Sequence, residues 1–265
     1  MTRDKFEKII EDINTADMVL IGLGEEFDCT REFRSEDSYE KGKKILLESG
    51  KGALLPAWQE LFRKEELRGL MAVIHLLEGK NYFAVSVSTN ARIMQMPWRE
   101  GRLVMPCGTT LYKQCTSSCE KNLQVVTEPE REKVMGQLRK WRDSIRQNED
   151  SELPEGLGIC PVCGEKVEFN NIYSESYDEN GYLPDWTHYT KWLQGTLNRN
   201  LVILELGVGM KFPSVIRFPF EKTAYLNQKA KFYRINENLY QMTEELTKKG
   251  TGIAENVIDW LQNLC

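Results

Sequence analysis

Two kinds of residue in this chain have types and spacings suited to chemistry: paired cysteines, and glycines or polar residues placed directly after short apolar runs. Cys115 and Cys119 enclose three residues, Cys160 and Cys163 enclose two, and Gly164 follows the second pair. Each pair can offer two thiolates from one turn, and four thiolates at about 2.3 Å complete a tetrahedral zinc site with no position left for water. The spacing therefore predicts structural zinc held by Cys115, Cys119, Cys160 and Cys163; the plainer alternative is buried reduced cysteines filling apolar space. Cys29, Cys107 and Cys265 are scattered, and close pairs within an odd total of 7 favour metal over disulfides in a reducing compartment.

The second set marks strand ends. Gly22-Leu23-Gly24 follows Met18-Val19-Leu20-Ile21, Thr89-Asn90 follows Tyr82 to Ser88, Gly207-Val208-Gly209 follows Leu201 to Leu206, and Asn236 closes Ala230 to Ile235. Short apolar runs of this kind suit strands buried on both faces of a parallel sheet. Residues directly after such strands face the crevice where open α/β sheets bind ligands.

The elements that must position these residues read as helices between the strands. Lys5 to Ile13 forms a first helix, and residues 35 to 79 are helical in pattern, with Leu54, Leu55, Trp58, Leu61 and Phe62 on one face. A charged helix, which Thr127 caps and Pro129 begins, runs to about Gln147, and Glu149 to Glu152 reads as an acidic linker. Asp178-Glu179-Asn180-Gly181 is a turn among the aromatics Tyr177, Tyr182, Trp186, Tyr189 and Trp192, which read as packing residues. Ile253 to Leu264 closes the domain. The fold expected is α/β, a Rossmann-like parallel sheet over 1–106 and 196–265 with a helical insertion at about 34–70, and a smaller zinc-binding module at 107–195.

Composition narrows the function classes. A net charge of -5 on 265 residues argues against a nucleic-acid surface, which needs clustered lysine and arginine. No run of about 18 apolar residues is present and the N-terminus enters a charged helix, so the expectation is a cytoplasmic protein without a membrane span. His75, in an apolar helical run, reads as packed or capping, and His188 as a surface residue.

Taken in order, these motifs resemble the sirtuin family, and more closely the microbial sirtuins encoded beside macrodomain proteins. The resemblance rests on Leu204-Glu205-Leu206-Gly207-Val208-Gly209 followed by Pro213, Ile216, Arg217, Pro219 and Phe220, on Thr89-Asn90, Gly108, the cysteine knuckle and Ile235-Asn236. It implies an NAD cofactor. Gly22 and Gly24 would lie against the pyrophosphate, Thr89 and Asn90 near the nicotinamide, and Gly207, Gly209 and Asn236 along the adenosine half. It also implies a protein substrate, modified by mono-ADP-ribosyl transfer or lysine deacylation, with Asn90 as a catalytic position.

Three departures fall on the same sites. The family's Gly-Ala-Gly-x-Ser turn reads Gly22-Leu23-Gly24-Glu25-Glu26, and a carboxylate about 5 Å from a phosphate oxygen repels it by roughly 3 kcal/mol. The alternative is that both glutamates face solvent at a helix N-terminus. Cys107 stands where the family places its general-base histidine, and a thiol serves as a base only if its surroundings lower its pKa. Arg92 replaces an acidic residue two positions after Asn90. Two readings follow: an NAD-dependent protein modifier, or a retained fold that binds a protein or nucleotide ligand without turnover.

Overall fold

A computed structural model of the chain describes residues 3–64, 67–119 and 123–262. Among them, six strands form one parallel sheet: β1 (Met18–Leu23), β2 (Asn81–Ser86), β3 (Leu103–Val104), β7 (Leu201–Leu206), β8 (Lys231–Ile235) and β9 (Gly250–Ile253). Their order is β3-β2-β1-β7-β8-β9. The order therefore reverses direction between β1 and β7, where α/β sheets open their ligand crevice.

Burial of both sheet faces explains the continuous apolar runs. One face of β1 (Val19, Ile21, Leu23) joins a core with α1 (Arg3–Thr15), α4 (Arg68–Leu76) and α10 (Val257–Gln262). The other face (Met18, Leu20) packs with α7 (Leu183–Gln194) and α8 (Arg217–Leu226), with the short α9 (Glu244–Thr247) beside them. The two edge strands escaped the sequence reading because β3 has two residues and β9 contains two glycines. Ile253 accordingly ends β9 rather than opening the last helix.

A second sheet is antiparallel, in the order β5-β4-β6, from β4 (Gly108–Cys115), β5 (Gln124–Val125) and β6 (Val167–Asn171). Between β5 and β6 runs α6 (Glu128–Gln147), at whose start the Glu130 carboxylate accepts from the backbone N–H and the hydroxyl of Thr127, each at 2.9 Å. Asn148 ends it in the left-handed conformation.

The helical stretch after the first glycine turn resolves into α2 (Asp37–Glu48) and α3 (Leu55–Glu60), while α5 (Ala91–Met94) follows β2. Tyr39, Leu46, Trp58 and Phe62 share a core with Val134, Leu138 and Trp141 of α6 and Phe169 of β6. The helical insertion and the cysteine-bearing segment thus pack as one unit. By contrast α7 joins the sheet: Tyr189 and Trp192 both contact the ring of Phe83.

Candidate functional site

The two glycine turns lie side by side at the switch point. Because β1 and β7 pair in register, Leu23 opposite Leu206, both chains leave the sheet at one level. Gly24 N donates to Leu206 O at 2.8 Å and Glu26 N to Gly207 O at 3.2 Å. A Cβ on Gly24 would sit 2.1 Å from Gly207 O and 2.2 Å from Val208 Cα, so only glycine permits this approach. Gly207 itself holds φ +62°.

Glu25 and Glu26 are half-buried and turn onto backbone amides of the neighbouring turns rather than into open solvent. Glu25 accepts from Gly209 N at 2.6 Å and from Lys211 N at 3.3 Å. Glu26 accepts from Glu237 N at 2.9 Å and from Val257 N, the first residue of α10, at 2.7 Å. These carboxylates occupy the backbone donors at the ends of β7 and β8, the type of donor that cradles phosphate in such folds. Burial pushes Glu26 above the ordinary carboxylate range, while the two amides pull it back.

Asn90 lies at the end of the strand next to β1. Its Nδ2 donates to Phe27 O at 2.9 Å, and its Oδ1 accepts from Arg63 Nη1 at 3.1 Å and Arg92 N at 3.2 Å. Beside it, Asp28 Oδ1 accepts from Ser88 Oγ at 2.6 Å and Thr89 N at 3.0 Å, and Arg63 Nε donates to Asp28 O at 3.2 Å. Burial raises the Asp28 carboxyl, against the lowering effects of Ser88 and Arg63. The sequence reading missed Asp28, Ser88 and Arg63, and no local pattern marks them: Arg63 meets Asn90 across 27 residues and Asp28 meets Ser88 across 60.

Cys107 is buried among Val87, Val104 and Phe83. Burial first, and the Asp28 charge second, push its thiol up to about 12, the opposite of the lowered pKa that a thiol base or nucleophile needs. Gly108 begins β4 with φ +66°, where a Cβ would meet Asn170 O at 2.2 Å. Lys211 reaches from the second glycine turn to the other unit, donating to the Tyr173 hydroxyl with its ammonium 4.4 Å from that ring's centre. Asn236 ties loops together: its Nδ2 donates to Val208 O at 3.1 Å, and its Oδ1 accepts from Asn238 N at 2.9 Å and Leu239 N at 2.6 Å. The histidines stand apart from these groups, His75 exposed in the last turn of α4 and His188 exposed on α7.

The four paired cysteines converge at one end of the antiparallel sheet. Their sulfurs all lie within 4.8 Å of one another, with Cys115–Cys163 at 3.4 Å and Cys119 at 3.5 Å from both Cys115 and Cys160. Edges near 3.8 Å are expected for four thiolates about 2.3 Å from one ion, so the donor set and its compactness fit zinc. Cys160 N donating to Glu165 O and Gly164 N to Cys160 O, at 2.6 and 2.9 Å, form the knuckle, and Gly164 supplies its φ of +79°.

A parallel sheet with paired glycine turns at its switch point, joined to a unit carrying a four-cysteine cluster, defines a Rossmann-type α/β protein with a zinc-type insertion. This arrangement is the sirtuin fold. A solved structure described as the structural basis for sirtuin substrate affinity superposes with TM-score 0.60 at 10% identity, covering 100% of this chain and 97% of that one. Sir2Tm bound to a propionylated peptide does so at 0.59 and 13%, with the same coverage. No family model matches the sequence. A Fusarium oxysporum f. sp. cubense protein named "Probable bifunctional ADP-ribose hydrolase/ADP-ribosyltransferase" is 26% identical over 145 residues, 54% of this chain and 23% of that protein. A Staphylococcus aureus "Protein ADP-ribosyltransferase" is 19% identical over 190 residues, 71% of this chain and 57% of that protein. The chain thus spans under two thirds of the length of either relative. No helix among the described residues is long and apolar enough to cross a membrane.

Proposed function

We propose that this chain acts in NAD-linked protein modification, of the protein ADP-ribosyl-transfer class, with the cleft at the end of β1, β2 and β7 as its cofactor site. The observation that supports this is the convergence of Gly24, Asn90, Gly207, Gly209 and Asn236 at one edge of the parallel sheet, where dinucleotides lie in folds of this type. The names of the two relatives favour ADP-ribosyl transfer over deacylation. In this reading Asn90 positions the nicotinamide ribose, and the pyrophosphate takes the amides of Gly209 and Lys211 only by displacing the Glu25 carboxylate. The substrate is a protein, and the four cysteines hold structural zinc.

A second reading, binding without turnover, draws on the same carboxylates and on a Cys107 thiol held protonated. Calorimetric titration of the zinc-loaded chain with ADP-ribose and NAD, followed by NAD-consumption assays, separates the two. The first reading expects binding that tightens by about tenfold or more in a Glu25→Gln variant, since repulsion of that size is removed. Absence of NAD and ADP-ribose binding in both wild type and Glu25→Gln overturns both the cofactor site and the enzyme reading. Binding with no NAD turnover, with or without candidate acceptor proteins, supports the binding module.

A further inference from the structure

The second glycine turn is held from behind by a buried guanidinium. Arg217, the first residue of α8, is 6% exposed, and its Nη2 donates to Val208 O. Its Nη1 and Nη2 also donate to Leu239 O, at 3.1 and 3.2 Å, and Asn236 Nδ2 gives Val208 O a second donor at 3.1 Å. Glu205, fully buried on β7, stands 3.3 Å from Arg217 Nη2. Both of its oxygens are already taken by Arg234, from Nε at 2.7 Å and from Nη2 at 3.1 Å. Arg217 Nε meets no partner among the described residues. A guanidinium placed for ion pairing turns two of its N–H groups onto the carboxylate as a fork. This one is turned onto two loop carbonyls instead.

Val208 O belongs to the same peptide as Gly209 N. That peptide is planar and trans, so its C=O and N–H point in opposite directions, and fixing one aims the other. The Gly209 N–H is the donor that meets the Glu25 carboxylate at 2.6 Å, and a Cβ on Gly209 would lie 3.1 Å from the same oxygen. We propose that Arg217 is a positioning residue: with Asn236 it locks the peptide between Val208 and Gly209 so that the Gly209 N–H faces the cleft as a donor for anions. Glu25 takes that donor here, and a diphosphate oxygen of the ligand takes it once Glu25 is displaced. Arg217 acts through the peptide, not on the ligand. The diphosphate part of this assignment rests on the dinucleotide reading of the cleft, whereas the aiming of Gly209 stands without it.

The test is amide hydrogen exchange and calorimetry on the zinc-loaded full chain. Arg217→Lys keeps a charge beside Glu205 but lacks the fork that reaches both carbonyls, and exchange at the Gly209 amide is expected to rise about tenfold or more. The Val257 amide, which Glu26 holds, is expected to keep its wild-type rate. Asn236→Asp keeps an oxygen for Asn238 N and Leu239 N but loses the donor to Val208 O, and is expected to act on Gly209 in the same way. In calorimetry, Arg217→Lys should weaken ADP-ribose by about tenfold and leave adenosine, which has no phosphate, unchanged. Unchanged exchange at Gly209 in both variants, or equal rises at Gly209 and Val257, overturns the positioning role. Equal weakening of ADP-ribose and adenosine overturns it too. A wild-type chain that binds neither ligand sinks the cofactor reading alone, and exchange at Gly209 still decides whether Arg217 aims the peptide.

Discussion

Single residues at the sheet edge carry both charge and close contacts. Asp28 is the clearest titrating group: burial lifts its folded pKa above its free value of 3.8. The folded chain therefore keeps a proton that the unfolded chain has released, and stability falls as pH rises from that value through the folded pKa. Asp28→Asn, which retains an oxygen for Ser88 Oγ and Thr89 N, is expected to flatten this fall above pH 3.8, measured as urea midpoints against pH. Parallel curves for the two proteins would place the pH dependence elsewhere. Gly24 tests contact rather than charge. Its Cβ would overlap Gly207 O and Val208 Cα, so Gly24→Ala should cost about 2–3 kcal/mol in denaturant unfolding.

At the scale of elements, α6 and the cysteine knuckles respond to different physics. Gly136 lies within α6 and a Cβ there meets nothing within 4 Å. Gly136→Ala should accordingly raise stability by about 1 kcal/mol, the helix-propensity difference, read from the same unfolding curves. The four sulfurs are held at the ends of β4 and the knuckle before β6 with no disulfide among them. Metal analysis should find zinc at one ion per chain. Chelation, or Cys160→Ser, should lower the thermal midpoint by about 10 °C, the shift produced by losing about 3–4 kcal/mol in a chain of this size. A chain that purifies and melts identically without metal would favour the alternative of reduced cysteines filling space.

For the molecule as a whole, the unit opposite the parallel sheet is assembled from two separated stretches of chain. Trp58 of α3 and Trp141 of α6 have ring centres 5.0 Å apart, and Phe62 packs against Trp58 at 4.9 Å. Zinc removal should therefore loosen more than the cysteine loops. Hydrogen exchange is expected to rise across α2, α3 and α6 together, while the amides of β1, β2, β7 and β8 stay protected. Exchange confined to the residues around Cys115 and Cys160 would show that the helical core holds by itself.

By itself the sequence determined the four apolar strands that became β1, β2, β7 and β8, because burial on both faces demands unbroken runs of apolar residues. It also determined the cysteine cluster, because metal-ligand spacing is local within each pair. Tertiary structure alone decided where α7 packs, since an aromatic helix suits either neighbour until Phe83 is placed beside it. It also decided the fate of Glu25 and Glu26. Their partners are backbone amides 184 to 231 residues away, and a backbone donor leaves no trace in side-chain identity. Separation along the chain hid Arg63: it meets Asp28 and Asn90 across 35 and 27 residues, where the segments after α3, β1 and β2 come together.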